Sequence, residues 1–427
     1  MLIKESNSEG LGDQKSKEYR NLAAIFLLSF GVRLLALWLV PEPHLPENAI
    51  LAYLKGAKIL LEGQGFSDFY FPVYTPPFYS MCIAMVTFLF GGDGIVGIKL
   101  LQIAADSLTA LIIYSSMREV FDAPTGYLSS ITWGLYPFAV YSTLYIGTEA
   151  LYTFFLALWT WFTVRAIRND KWQYYCGAGA ILGLATLTRG TTQFLPLVLP
   201  FILIACRKQN PDWLRGYLMS LICFIVVILP WGARNYLVLH EIIPVGVNSM
   251  PVFMGSSEPL LTIGDGRENE MSRLYEKAKA KGIVPLPPDR GPAERDGFLR
   301  KLALDNYLEQ LRTDPVKLGF FMVKKLFRLW YSTESGKNHR IILGVNILIY
   351  ASAIVGIVAA WRQKDCMTLV LLGLIGYFVF LHWPTLALFR FMMPVMPYVV
   401  GFASFGALVV LKQKWPEILR HFQLISR

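Results

Sequence analysis

The sequence predicts an all-α integral membrane protein of about ten transmembrane helices. Three observations carry this. Hydrophobic residues make up 54% of the 427 positions and charged residues only 16%, against about a quarter charged in soluble domains. The mean hydropathy is +0.44. Apolar stretches such as Leu22 to Val40 and Leu214 to Leu229 approach the roughly 20 residues that cross a hydrocarbon core of about 30 Å.

Apolar runs place spans at 22–41, 94–115, 123–143, 147–166, 173–189, 192–206, 214–231, 341–360, 366–382 and 390–411. Lys4, Lys15, Lys17 and Arg20 precede the first. It lacks a small-x-small cleavage site and has the length of a span, so it reads as a retained anchor. Short loops rich in Lys and Arg mark the cytoplasmic side. Here they are the N-terminus 1–21, Arg165 to Lys171, Arg207 to Arg215, Arg362 to Lys364, and the tail 412–427. All fall on one side only if Phe78 to Phe90, at roughly 13 residues too short to span upright, is re-entrant or tilted.

The opposite face then receives an outer loop over 42–77, the tip at Gly147 to Glu149, the Arg189 turn, an extracytoplasmic segment over 232–340, and the His382 to Arg390 turn. The expected organisation is therefore a transmembrane module over 22–231, the outer segment, and C-terminal helices over 341–411. In the first outer loop, Ile50, Leu51, Leu54, Ala57, Leu60 and Leu61 recur at helical spacing, which predicts a surface helix with one apolar face. Gly63-Gln64-Gly65 ends it. In the large segment, Arg295 to Leu311 and Asp314 to Trp330 read as two amphipathic helices, the second carrying Lys324, Lys325 and Arg328 toward the membrane surface.

Cys82, Cys176, Cys206, Cys223 and Cys366 lie in or beside apolar segments without metal-ligand spacing, so neither a disulfide framework nor a metal site is expected. The net charge of +10 is spread without a block of like charges, which suits anionic lipid or phosphate rather than nucleic acid. Ionisable residues at membrane depth are costly and mark function by default. Arg33, Lys99, Asp106, Glu149, Arg189, Arg234, His382 and Arg390 qualify. Each also has a plainer reading. Arg33 and Lys99 could snorkel, Asp106 could pair with one of them, and Glu149 could serve as a first-turn carboxylate behind a Thr148 cap. Arg189 and Arg234 could anchor helix ends at the interface, and Glu47 could simply start the surface helix.

A set of short strings recurs in order along the chain: Tyr53-x3-Ala57-x2-Leu60-x2-Gly63-x-Gly65-Phe66, Thr75-Pro76-Pro77-Phe78-Tyr79, Thr148-Glu149, Leu187-Thr188-Arg189, Pro230-Trp231-x2-Arg234-Asn235-Tyr236, and His382 through Arg390-Phe391-x2-Pro394-x2-Pro397. The set resembles the polytopic polyprenyl-phosphate-sugar-dependent glycosyltransferases, which include protein O-mannosyltransferases and lipid A aminoarabinose transferases. The resemblance implies transfer of a sugar from a polyprenyl-phosphate carrier to a glycan, lipid or protein hydroxyl on the extracytoplasmic face. It also implies a catalytic Asp four residues before Tyr53. Ala49 stands there instead, which leaves Glu47 and Glu149 as candidate bases. Arg33, Tyr53, Lys99, Asp106, Arg189, Arg234, His382 and Arg390 are the candidate substrate-binding residues.

Departure of a phosphate anion needs cations more than a general acid. The acceptor hydroxyl needs a carboxylate within hydrogen-bond reach, and attack opposite the leaving group inverts the anomeric centre. A divalent cation could bridge carboxylate and phosphate. No nucleotide-sugar loop is present, and no internal repeat of the transporter type. A lipid-linked glycan flippase, a polymer ligase and an inactive scaffold of a glycan-assembly complex remain as alternatives. The N-terminus has no organellar transit character, so a bacterial inner membrane is expected.

Overall fold

The computed structural model describes residues 2–41, 47–66, 75–208, 210–247, 249, 252, 255–256, 291–333 and 338–414. All regular structure among them is helical. In chain order the helices are α1 (Leu2–Leu39), α2 (Glu47–Leu61), α3 (Phe78–Phe90), α4 (Ile95–Val120), α5 (Ala123–Gly134), α6 (Pro137–Ser142), α7 (Glu149–Asn169), α8 (Trp172–Thr188), α9 (Leu195–Ala205), α10 (Trp213–Leu239), α11 (Pro292–Thr313), α12 (Pro315–Arg328), α13 (His339–Gln363), α14 (Met367–His382) and α15 (Met396–Lys414). Six segments are long and apolar enough to cross a membrane: Lys15–Leu39, Ile95–Val120, Glu149–Asn169, Trp213–Leu239, His339–Gln363 and Met393–Lys414. The chain is a multi-pass membrane protein.

Several boundaries depart from the sequence reading, and proline accounts for most of them. The span expected over 123–143 is broken into α5 and α6, with Tyr136 extended (ψ 116°) ahead of Pro137. Proline disfavours helical backbone in the residue before it and lacks an amide of its own. The span expected from 192 opens with a 3-10 turn, Gly190–Phe194, before Pro196 starts α9. Two more 3-10 turns, Phe389–Phe391 and Met393–Val395, precede α15. Short α3 buries Tyr79, Cys82, Ile83 and Val86, and Gly91, Gly92 and Gly94, all at positive φ, reverse the chain directly into α4.

Helix α2 forms as expected, but its inner face is rotated. Ala52, Gly56, Ala57 and Ile59 are buried, whereas Leu51 and Leu61 point outward. Small residues face the protein because α2 lies close against α3, where a methyl at Gly56 would meet the Ser80 hydroxyl at 2.7 Å. Leu54 and Leu60 still pack against this core, and Leu51 and Leu61 are left outside. Long helices also meet through glycine. A Cβ on Gly356 of α13 would collide with the Phe402 carbonyl of α15, and one on Gly179 of α8 with the Ser220 carbonyl of α10. Close backbone approach at small residues is how helices pack where lipid offers no hydrophobic drive.

Arg33 is fully buried and does not snorkel. Its Nε donates to Asp106 Oδ2 at 2.8 Å, Nη2 makes a second contact to the same oxygen, and Nη1 donates to Ser29 Oγ (2.6 Å), the Ser29 carbonyl (3.0 Å) and the Gly134 carbonyl (2.7 Å). The guanidinium thus ties α1 to α4 and to the end of α5. Lys99 is buried as well. Lys325 of α12 also turns inward, against the expectation that it faces the membrane surface. Its Nζ donates to the Gly255 and Pro384 carbonyls at 3.0 and 3.3 Å.

Removing one partner of a buried pair strands the other charge, at a cost of about 3 to 5 kcal/mol. Asp106→Ala should therefore sharply lower the thermal unfolding midpoint of the purified protein, and Arg33→Met combined with Asp106→Leu should recover much of it. Unfolding curves for wild type and both variants check this.

Candidate functional site

Glu149 opens α7, with Thr148 ahead of it making no side-chain cap bond. A carboxylate at this end is favoured by the helix dipole. Glu149 is nevertheless 8% exposed, and its Oε1 accepts from Arg189 Nη1 at 3.3 Å. That is the one side-chain hydrogen bond Arg189 makes among the described residues. Arg189, just past the end of α8, lies over the rings of Phe391 (5.4 Å) and Tyr152 (6.0 Å). Its remaining donors are therefore framed by aromatic faces, not engaged by carboxylates.

The turn after α14 completes this cluster. His382 stacks on Phe391 with centroids 4.8 Å apart, and the Arg390 guanidinium lies 5.1 Å from the same ring. Tyr53 of α2 and Tyr145 also enter, both within the electrostatic reach of Glu149, Arg189 and Arg390. Burial, reinforced by the Glu149 charge, pushes both phenols up from their ordinary value. They stay protonated.

The loop bearing Glu149 is held from below. Tyr79 donates to Gln102 Oε1 (2.6 Å) and accepts from the Gly147 amide (2.9 Å), while Gln102 Nε2 donates to the Tyr145 (2.9 Å) and Thr143 (3.3 Å) carbonyls. Tyr53 packs edge-on against Tyr79 at 4.9 Å. Gln102 was not among the residues singled out from the sequence, because only ionisable side chains were weighed there. An amide inside the apolar run 94–115 was the available signal.

Arg234 stands on α10, whose Trp231 is linked to the Arg189 turn through Val245. Gly190, next to Arg189, faces Val245. The Val245 carbonyl accepts from Trp231 Nε1 at 2.7 Å, and the Arg234 guanidinium lies 5.0 Å from the Trp231 ring. Nη1 of Arg234 donates to Asn235 Oδ1 at 3.0 Å, and its Nε and Nη2 have no partner among the described residues.

Arg189, Arg390, His382, Glu149 and Tyr53 are thus brought together. Arg33 and Asp106 are spent on each other and on helix packing, and Lys99 is buried on α4. The helical backbone of α2 already includes Glu47, which puts it about 200° around the helix from position 49. The Glu47 side chain itself lies outside the described residues. Among the described residues no three His, Cys, Asp or Glu side chains gather to hold a metal. Among the described residues Glu149 is the single carboxylate of the cluster.

Residues 74–231 match the family described as dolichyl-phosphate-mannose-protein mannosyltransferase. Over that stretch the chain is similar to the protein mannosyltransferases. The match includes Tyr79, Glu149 and Arg189 and stops shortly before Arg234. Among solved structures, the oligosaccharyltransferase of Archaeoglobus fulgidus in its apo form superposes with a TM-score of 0.61 at 12% identity, covering 96% of this chain and 52% of that one. The archaeal oligosaccharyltransferase AglB from the same organism, in complex with an inhibitory peptide and a dolichol-phosphate, gives 0.59 at 14%, covering 95% and 51%. ArnT from Cupriavidus metallidurans bound to undecaprenyl phosphate gives 0.39 at 14%, covering 91% and 77%. At these identities the likeness is one of fold, and the chain spans about half the length of the oligosaccharyltransferases it matches. No curated protein matches by sequence.

Gly147 gives the cluster a sharp test. A Cβ there would stand 2.7 Å from Glu149 Oε2 and 2.5 Å from the Tyr145 ring. Gly147→Ala should displace the carboxylate and abolish most activity while the protein folds and extracts normally, whereas Gly344→Ala, which meets nothing within 4 Å, should leave activity unchanged. Parallel activity and size-exclusion measurements on the two variants decide it.

Proposed function

We propose that this protein is a membrane glycosyltransferase that moves a sugar from a polyprenyl-phosphate carrier to an acceptor hydroxyl, with inversion, on the extracytoplasmic face of a bacterial inner membrane. The observation that carries the reading is the gathering of the Arg189 and Arg390 guanidinium groups about Phe391 beside Glu149, with half-buried Arg234 keeping two donors that have no partner among the described residues. An anion completes such donors, and the planar guanidinium fork matches phosphate oxygens. The family match over 74–231 and the fold shared with a protein solved with dolichol-phosphate support the same reading.

In the proposed reaction the acceptor oxygen attacks the anomeric carbon as the bond from that carbon to the carrier phosphate breaks. The hydroxyl proton passes to Glu149, and the bonding electrons leave on the phosphate. Arg189, Arg390 and Arg234 stabilise the charge that develops there. Glu149 acts as general base, with Arg189 orienting it. Position 49 stands one helical turn before Tyr53, so the two share a face of α2. The carboxylate that the family resemblance expects from α2 is delivered to Tyr53 from α7 instead. The sugar and acceptor are set by residues around this cluster, and a glycan, a lipid or a protein would each present the required hydroxyl.

Loss of a charge-assisted hydrogen bond costs about 1.5 to 3 kcal/mol, roughly ten- to a hundredfold in affinity. Arg234→Ala should weaken binding of a polyprenyl phosphate by that factor with little change in thermal stability in its absence. Binding equal to wild type by a folded variant would reduce Arg234 to an interfacial anchor and remove the support for a carrier site.

A further inference from the structure

Helix α12 has two apolar faces, and only one is used by the protein. Phe321 and Lys325 point inward, where Lys325 reaches the Gly255 and Pro384 carbonyls. The Met322 carbonyl accepts from Trp383 Nε1 at 2.7 Å. On the opposite side Val316, Phe320, Val323 and Phe327 are 69%, 77%, 56% and 63% exposed. Their spacing of four, three and four residues makes a continuous stripe along the helix. Exposed Lys317 and Lys324 flank that stripe on one side.

We propose that α12 lies in the plane of the membrane interface, with this stripe inserted among the acyl chains and Lys317 and Lys324 on anionic lipid headgroups. A helix with an apolar face bordered by cations is built for that position. Two structural facts place it at the bilayer. Trp383, its hydrogen-bond partner, immediately follows the apolar helix α14, and the chain leaving α12 enters the membrane-crossing helix α13 at His339. The leaflet is the one facing the Glu149–Arg189 cluster, because Trp383 and Pro384 belong to the turn that carries His382 and Arg390. The inward face of α12 grips that turn while the outward face rests in lipid. The proposal depends on the membrane reading and is independent of the transfer chemistry.

The test uses the full-length protein reconstituted in vesicles, with Cys176 and Cys223 changed to Ser because the other native cysteines are buried. Phe320→Cys, Phe327→Cys and, as a control on exposed α11, Asp305→Cys are labelled with a bimane fluorophore. Labels at 320 and 327 should lose fluorescence to acyl-chain nitroxide lipids and resist aqueous iodide, with the reverse at 305. Iodide quenching at 320 and 327 would show a water-exposed face and overturn the proposal. Protection from both quenchers would equally overturn it, since the stripe would then be covered by protein, either residues 257–290 or a second copy. Nitroxide carried on phosphatidylglycerol should also quench position 320 more than nitroxide on phosphatidylcholine at equal mole fraction, and Lys317→Gln with Lys324→Gln should erase the difference. Equal quenching by the two lipids in wild type would remove the headgroup contact.

Discussion

The arrangement around the site depends on one constraint: a carboxylate must be held at the start of an apolar helix without being surrendered to water or to a tight ion pair. Glu149 meets it through a single 3.3 Å contact to Arg189 and through the loop ahead of it, whose amide and carbonyls are fixed by Tyr79 and Gln102. A shorter bidentate bridge would neutralise both partners. The observed contact orients the carboxylate and leaves most of the Arg189 fork for another anion.

The same residue types serve a different purpose elsewhere in the bundle. Arg33 and Asp106 form a fully buried, multiply hydrogen-bonded pair joining three helices, and Lys325 is consumed on carbonyls that fasten α12 to the 382–391 turn. Arg234 contrasts with both because two of its donors have no partner among the described residues. What separates a structural cation from a candidate ligand site here is whether the protein itself satisfies it, since charge alone is common to all of them.

Six of the ten expected spans coincide with helices long and apolar enough to cross a membrane, because length and hydropathy decide them. The convergence of Glu149, Arg189, His382 and Arg390 followed from topology, as each lies at a helix end on one face. Other features were hidden. The break at Tyr136–Pro137 looks continuous on a hydropathy scale. The inward turn of Lys325 depends on a single helical register, with Lys324 beside it facing out. Gln102 is neutral and gave no signal of charge at membrane depth, although it organises the loop on which Glu149 depends. The question of position 49 could be framed from sequence, but the nearness of the Glu149 carboxylate to Tyr53 needed the fold.

The central claim is that Glu149 supplies the base that position 49 lacks, at a site whose cations hold a carrier phosphate. The most direct measurement is single-turnover transfer from radiolabelled polyprenyl-phosphate sugars by the purified protein, wild type against Glu149→Gln, with carrier binding followed in the same preparations. The account predicts transfer by wild type, and its loss in the variant while the carrier still binds. Transfer that persists in Glu149→Gln would contradict it, and so would a wild type that binds carrier and transfers nothing from any such donor.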